Sequence, residues 1–170
     1  MNEIENAVHS IGVVPVIKLN HPERDAIPLA KALIAGGVPV AEVTFRAAGA
    51  ATAIKAMRDN FPEMLVGAGT VLSTQQVDEA KAAGAQFVVT PGMDPDIVAY
   101  CQKIGMQIFP GCSTPTDLHT AYKFGLNVVK FFPAEQSGGL AKIKAMSAPF
   151  SMLKFMPTGG ISLKNLAEYI

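Results

Sequence analysis

Short β-rich runs alternate with helical stretches along almost the whole chain. The runs are rich in Val, Ile, Phe and Thr and close on Pro or Gly, as strands do. The predicted strands are Val13–Leu19, Val40–Arg46, Leu65–Thr70, Phe87–Pro91, Gln107–Gly111, Val128–Pro133 and Leu153–Thr158. Strict alternation of strand and helix indicates parallel strands covered by helices, in an open sheet or a closed barrel.

Helical segments fill the intervals between these strands. They are predicted at Arg24–Ala35, Ala50–Asp59, Thr74–Ala83, Pro95–Lys103, Thr114–Phe124 and Ala141–Met146. Glycines at 36, 84, 105 and 125 are predicted to end helices in the left-handed conformation. Asp94 and Ser162 are placed to begin helices.

Two features favour a barrel over an open sheet. The first strand runs into Asn20-His21-Pro22 rather than into a Gly-rich dinucleotide turn. Polar residues also recur near the carboxyl ends of the strands, where barrel enzymes place their chemistry. We therefore predict one α/β domain over residues 1–170, a TIM (β/α)8 barrel. Only seven strands are counted, so we expect the eighth strand to be missing from this chain, which would then be C-terminally incomplete.

Charge and cysteine content narrow the functional classes. The chain has 14 basic and 14 acidic residues, so no positive field attracts nucleic acid or an anionic membrane. No apolar run approaches the roughly 20 residues that span a bilayer. Cys101 and Cys112 lack metal or disulfide spacing and are expected to be reduced thiols in a cytoplasmic protein. The histidines at 9, 21 and 119 share no ligand spacing, so we predict no metal.

Lys130 is the most informative single residue. It lies within the apolar run Val128–Pro133, where an ammonium group is expensive to bury. Burial disfavours the charged form of an amine, and a neutral amine can attack a carbonyl to form a Schiff base. The alternative is a lysine at the rim of the strand that reaches solvent. Lys154 has a similar local pattern and is a rival nucleophile, although it is predicted to lie nearer the amino-terminal end of its strand.

The second predicted strand carries three polar side chains on one face. Period-two alternation places Glu42, Thr44 and Arg46 together. Both faces of a parallel sheet are normally covered and apolar, so this face is predicted to line a polar barrel lumen. An edge strand, or a buried structural pair of Glu42 with Arg46, is the alternative. Arginine suits a carboxylate, glutamate can shuttle protons and lysine supplies an electron sink, which together describe aldol cleavage of a 2-keto acid.

Two glycine-containing turns follow predicted strands, at Gly67–Thr70 and at Thr158–Gly160. Glycines there let backbone N–H groups approach an anion. The turn after the seventh strand is a common phosphate site in barrels. Thr158, Gly159 and Gly160 are therefore predicted to form half of a phosphate cradle.

Six segments, in order along the chain, closely resemble the 2-keto-3-deoxy-6-phosphogluconate (KDPG) aldolase family, which includes 4-hydroxy-2-oxoglutarate (KHG) aldolases. They are Glu42–Arg46, Val66–Val71, Thr90–Gly92, Phe109–Gly111, Val129–Glu135 and Pro157–Ile161. The resemblance implies a cytoplasmic, homotrimeric (β/α)8 barrel without a cofactor, which releases pyruvate from a phosphorylated sugar acid.

The resemblance also implies roles for individual residues. Lys130 resembles the Schiff-base lysine and Glu42 the general acid and base. Arg46 and Thr70 resemble the residues that hold the pyruvate carboxylate. Pro91 and Phe132 would shape the pyruvyl pocket, and residues 158–160 would meet the distal hydroxyl or phosphate end.

The chain departs from the family pattern at two places. Ala47 stands where members often carry threonine, and the family's eighth strand supplies a Gly-Ser element for phosphate binding. Other readings stay open on the residues alone. They are another phosphate-binding barrel enzyme, in which Lys130 makes only an electrostatic contact, and an inactive fragment of the aldolase.

Overall fold

The computed structural model describes residues 1–170 as alternating helices and strands. The strands are β1 Val16–Ile17, β2 Val40–Thr44, β3 Leu65–Gly69, β4 Phe87–Val89, β5 Gln107–Phe109, β6 Gly111–Cys112, β7 Val128–Phe131 and β8 Lys154–Pro157. The helices are α1 Glu3–Ile11, α2 Pro22–Ala35, α3 Ala50–Asn60, α4 Thr74–Ala82, α5 Pro95–Lys103, α6 Pro115–Lys123, α7 Gly139–Ser147 and α8 Leu166–Tyr169. A 3₁₀ turn, Glu135–Ser137, follows β7.

All strand pairs are parallel, in the orders β1-β2-β3-β4-β5 and β6-β7-β8. Strands β5 and β6 lie on either side of Pro110, whose carbonyl accepts a hydrogen bond from the Lys130 backbone at 3.0 Å. The two sheets therefore meet at one extended segment, and the eight short strands occupy the seven predicted positions. Strands β1 and β8 do not pair with each other, so residues 1–170 do not form a closed ring. The eighth barrel strand stays a prediction.

The predicted parallel α/β alternation is confirmed, with three local corrections. Gly36 has a φ of −79°, and the left-handed conformation falls one residue later, at Gly37 with a φ of 75°. Ser162 does not begin a regular helix, because α8 starts at Leu166 after Asn165. Helix α1 is not among the predicted elements. The spacing of Asn2 and Glu5 nevertheless matches the capping box that the structure contains.

The buried apolar residues form three clusters, and one of them, with eight residues, packs around β6, β7 and β8. One side of the strands packs against the helices and forms the largest cluster, with 23 buried residues. The other side forms an inner cluster of six residues: Val40, Leu65, Phe87, Val89, Phe109 and Val128. By the same period of two, Val40 shares its face with Glu42, and Val128 shares its face with Lys130. The inner cluster therefore lies directly next to the polar residues, on the side of the amino-terminal ends of the strands.

Helix α1 covers the amino-terminal end of this inner cluster. Ile4, Val8 and Ile11 pack against it. The carboxylate of Glu5 is buried and accepts hydrogen bonds from the Asn2 backbone at 2.8 Å and from the Asn127 amide at 3.2 Å. One end of the strands is thus sealed by apolar contacts, which leaves the carboxyl ends as the accessible side. None of the helices is long and apolar enough to cross a membrane.

We expect Asn2→Ala to lower the free energy of unfolding by about 1 kcal/mol, because the Asn2 side chain accepts the N–H of Glu5 at 2.9 Å and caps α1. For a domain of this size the melting temperature should fall by about 2–4 °C. Urea and thermal unfolding measure both. Asn6→Ala is the matched control, because Asn6 is exposed within α1 and alanine favours a helix. Equal melting temperatures for the two variants would contradict the capping role.

Candidate active site

Lys130 and Glu42 form a buried ion pair across the lumen. The Lys130 Nζ lies 3.3 Å from the Glu42 Oε1, and the two side chains are only 6% and 1% exposed. Strands β7 and β2 are not neighbours in either sheet, so their side chains meet only because both point into the enclosed space. The structure therefore favours the lumen interpretation of the polar face of β2.

Two glycines lie on the strands between β2 and β7, at positions where a side chain would not fit. A Cβ atom added at Gly69 would lie 2.2 Å from the Glu42 Oε1. A Cβ added at Gly111, which pairs with Lys130, would lie 2.2 Å from the Pro91 carbonyl oxygen. Any side chain at either position would occupy the space of an atom already there. Only a glycine at position 69 leaves room for the carboxyl group of Glu42.

Burial raises the pKa of Glu42 above its ordinary value of 4.5. Desolvation is the largest cause, because a carboxylate out of water loses its hydration. The positive charge and hydrogen bond of Lys130, and the charge of Arg46, act in the opposite direction but are smaller. A carboxyl group with a raised pKa can hold and release a proton nearer neutral pH, as acid–base catalysis requires.

Arg46 lies just beyond the end of β2 and is exposed. Its Nε donates a hydrogen bond to the Thr44 hydroxyl at 3.2 Å, and Thr44 in turn donates to the Ile17 carbonyl at 2.7 Å. The alternative of a buried ion pair between Glu42 and Arg46 is wrong, since Glu42 pairs with Lys130 instead. The terminal nitrogens of Arg46 have no protein partner, so they are available to a carboxylate.

Thr70 and Pro91 follow the carboxyl ends of β3 and β4, and both are half-buried. Thr70 has a φ of 55°, a left-handed backbone that is rare for a β-branched residue. It comes directly after Gly69, whose Cα lies beside the Glu42 carboxyl group. Strain of this kind persists where the surrounding structure holds a residue in place, often at functional sites.

Phe132 and the turn after β8 lie on the Lys130 side of the site. The Phe132 ring centroid is 5.1 Å from the Lys130 Nζ, a distance at which the ring face attracts a cation. A Cβ added at Gly159 would lie 3.4 Å from the Phe132 ring, and one added at Gly160 would clash with Glu135 at 2.6 Å. Gly159 and Gly160 have φ values of 100° and 80°. The Thr158 hydroxyl donates weakly, at 3.4 Å, to the Met156 carbonyl.

Lys154 lies elsewhere. It is exposed at the start of β8 and pairs with Val128, two residues before Lys130. This position is at the amino-terminal end of the strands, opposite the accessible side. The structure therefore disfavours Lys154 as the rival nucleophile and gathers the other predicted residues around the carboxyl ends.

Comparison with known proteins agrees with this geometry. The family model for "KDPG and KHG aldolase" matches residues 4–170. This chain belongs to that family. The 2-dehydro-3-deoxy-phosphogluconate aldolase of Treponema pallidum is 50% identical over 170 residues, which cover all of this chain and 80% of that protein. The chain is therefore an aldolase, which is a lyase.

Solved structures agree in fold. The KDPG aldolase of Zymomonas mobilis ZM4, with 3-phosphoglycerate, superimposes with a TM-score of 0.94 at 38% identity and covers 99% of this chain and 80% of that chain. The Legionella pneumophila KDPG aldolase, with pyruvate captured as a covalent carbinolamine intermediate, superimposes with a TM-score of 0.88 at 42% identity. The match covers 92% of this chain and 75% of that chain. The predicted barrel type is thereby confirmed.

Three residues of the site have no assigned role in the sequence analysis. Gly69 was predicted only as part of the glycine turn at Gly67–Thr70, Gly111 only as the end of a strand, and Thr44 only as a member of the polar face of β2. A glycine inside a buried strand is itself a signal of close approach by another group, and it could have identified Gly69. Period-two alternation places Thr44 beside Arg46, but the bond that Thr44 donates to the Ile17 carbonyl, 27 residues away, has no local signal.

We expect Gly69→Ala to destabilise the chain by about 1–3 kcal/mol, the usual cost of overpacking a buried site. The new Cβ would displace the Glu42 carboxyl group, so aldolase activity should fall as well. Gly92→Ala is the matched control for stability, because a Cβ at Gly92 meets nothing within 4 Å. Urea unfolding compares the two. Similar losses from both substitutions would show that the space beside Glu42 is not tightly filled.

The raised pKa of Glu42 predicts a pH dependence of stability. In the folded chain this carboxyl group holds its proton at pH values where the unfolded chain has released it. The stabilising contribution is therefore present at low pH and is lost as the pH rises from the ordinary value of 4.5 through the raised one. Glu42→Gln removes the titration. Unfolding free energies of both chains, measured between about pH 4 and pH 8, should diverge, and parallel curves would contradict the raised pKa.

Proposed function

We propose that this chain is a class I aldolase whose Lys130 forms a Schiff base with a 2-keto acid. The proposed reaction cleaves KDPG to pyruvate and glyceraldehyde 3-phosphate, with 4-hydroxy-2-oxoglutarate, cleaved to pyruvate and glyoxylate, as a second substrate. The observation that carries the proposal is the buried pair of Lys130 Nζ and Glu42 Oε1 at 3.3 Å. The family match, the KDPG aldolase of Treponema pallidum and the Legionella pneumophila carbinolamine support it.

Lys130 and Glu42 divide the chemistry between them. Glu42 takes the proton of the Lys130 ammonium group, and the resulting amine attacks C2 of the keto acid. A proton moves from the nitrogen to the former carbonyl oxygen, and the carbinolamine then loses its hydroxyl group as water when Glu42 donates its proton. The C3–C4 bond then breaks, its electron pair moves toward the iminium nitrogen, and the C4 hydroxyl gives its proton to the Glu42 carboxylate as the aldehyde forms. Protonation of C3 of the resulting enamine and hydrolysis release pyruvate and the free lysine. The raised pKa of Glu42 fits a group that returns protons at these steps.

The substrate carboxylate would bind beside this pair. The two terminal nitrogens of Arg46 have no protein partner, and a guanidinium group matches a carboxylate with two parallel hydrogen bonds. Thr70 follows Gly69 at the end of the neighbouring strand, and its hydroxyl is the second proposed donor. Pro91 and Phe132 would form the apolar walls around the pyruvyl group, which restrict water near the amine.

The distal end of the substrate would meet the turn after β8. The backbone N–H groups of Gly159, Gly160 and Ile161 donate to no group in the protein. Successive free N–H groups in a glycine turn form a concave site for an anion. Thr158 adds a hydroxyl on the same turn. This arrangement supports the proposal that residues 158–160 receive the distal hydroxyl or phosphate.

We also infer a cytoplasmic homotrimer. The trimer rests on the family resemblance. The compartment is supported by the two cysteines, which are free and buried. Burial raises the pKa of Cys101 to about 11 and that of Cys112 to about 12, so neither thiol is reactive at neutral pH.

Incubation with pyruvate and borohydride tests the nucleophile directly. We expect one reduced adduct, located by peptide mass spectrometry on Lys130. Lys130→Met should lose the adduct and at least about 10³-fold in kcat, because the covalent intermediate cannot form. Lys154→Met is the matched control, since Lys154 is exposed at the far end of its strand, and it should keep both.

Two results would contradict the proposal. An adduct on Lys154 would show that the nucleophile is misassigned. No adduct at saturating pyruvate, in a chain that includes the predicted eighth strand, would reject the Schiff-base mechanism. Pyruvate release from KDPG and from 4-hydroxy-2-oxoglutarate by the unchanged chain then identifies the cleaved substrate. The same assays with Lys130→Met measure the background.

A further inference from the structure

The Thr44 hydroxyl joins the end of β1 to the side chain of Arg46. Thr44 is the last residue of β2 and is 1% exposed. Its Oγ1 lies 2.7 Å from the Ile17 carbonyl oxygen and 3.2 Å from the Arg46 Nε. The end of β1 and an exposed arginine just beyond β2 therefore meet at one buried oxygen atom.

Only one direction of hydrogen bonding satisfies both contacts. A threonine hydroxyl has one proton, a carbonyl oxygen can only accept, and a guanidinium group can only donate. Thr44 must therefore give its proton to Ile17 and present a lone pair to the Arg46 Nε–H. The Ile17 carbonyl thus sets the orientation in which Thr44 receives the arginine.

This contact restricts an otherwise free side chain. Arg46 is exposed, and Thr44 is its single hydrogen-bond partner. A long side chain of this kind loses much rotamer freedom when it binds a ligand. Since the guanidinium group is planar, fixing the Nε–H on Thr44 limits the directions of the two terminal nitrogens, which stay free for a bidentate partner.

We propose that Thr44 is a positioning residue for recognition of the substrate carboxylate. It holds the Arg46 fork in a binding-competent orientation before the 2-keto acid arrives, and so lowers the entropic cost of binding. This inference rests on the proposed function, in which Arg46 binds the carboxylate. It adds that the fork is preorganised by a buried hydroxyl that does not touch the substrate.

A purely structural role for Thr44 is the competing explanation. Strand β1 has only two paired residues, Val16 with Glu42 and Ile17 with Val43, so the bond from Thr44 to Ile17 also ties β1 to β2. Loss of that bond alone would lower the melting temperature. It would not change substrate affinity in a manner that depends on Arg46.

The test measures the pyruvate concentration that half-saturates borohydride trapping, together with KM and kcat for KDPG. Thr44→Val keeps the shape of the side chain but removes its oxygen. We expect the half-saturating concentration and KM to rise roughly three- to tenfold, the range of one net hydrogen bond, with kcat within about twofold. Thr44→Ser restores the hydroxyl and should behave like the unchanged chain. Thr116→Val, at an exposed position in α6, controls for the substitution itself.

Repeating Thr44→Val in an Arg46→Lys chain separates the two explanations. Lysine keeps the charge, so binding remains measurable, but it lacks the Nε–H that Thr44 accepts. In that chain, Thr44→Val should raise the half-saturating pyruvate concentration by less than about twofold, because the bond between Thr44 and the arginine Nε–H is already absent. A rise as large as that in the unchanged chain would overturn the proposal.

Other results also decide the matter. No change in half-saturation with Thr44→Val overturns the role of Thr44 while leaving the aldolase intact. No adduct at saturating pyruvate, in an otherwise unchanged chain that includes the predicted eighth strand, overturns the proposed function itself. If Thr44→Val does not fold, Thr44→Ala replaces it in the same comparison with Thr44→Ser, because alanine removes the oxygen without placing a methyl group against the Ile17 carbonyl.

Discussion

The buried contact between Lys130 and Glu42 imposes the conditions that the rest of the site meets. Two side chains of opposite charge leave water together, and the cost of desolvation is recovered only when each is the other's close partner. Strands β2 and β7 must therefore keep the relative position in which these two side chains are in contact. The inner apolar cluster provides that rigidity from below. Gly69 provides the space beside Glu42, and the Gly111 position brings the Pro91 backbone close to the strand that carries Lys130.

The same contact explains why this end of the barrel is chemically active and the other is not. At the amino-terminal end, α1 covers the inner cluster, and Lys154 extends into solvent. At the carboxyl end, a buried amine lies beside a carboxyl group with a raised pKa, while an arginine and a glycine turn have free donors. The apolar layer thus separates a stabilising end from a reactive end, as in other β/α barrels. The parallel arrangement is the cause, since it collects all the strand termini of one kind together.

Preorganisation links the pair to the substrate-binding groups. Thr70 is held in a left-handed backbone conformation directly after Gly69, and Thr44 holds the Arg46 Nε–H while donating to Ile17. Both residues lie at the ends of strands, which fix their positions. A site built in this manner loses little entropy on binding, because its donors are already directed.

The sequence by itself determined the parallel α/β alternation, the seven strand positions and the identity of Lys130, Glu42 and Arg46 as unusual residues. Period-two patterning and the cost of burying charge are local properties that residues such as Val128–Pro133 display without a structure. The three-dimensional fold was needed to show that Glu42 pairs with Lys130 rather than with Arg46, that Gly69 makes room for that pair, and that Thr44 bonds to both Ile17 and Arg46. The first two of these contacts join strands that are distant in sequence, and Thr44 is fixed by the Ile17 carbonyl, 27 residues away. Their distances depend on how the sheet curves, and no local pattern of residues encodes that curvature.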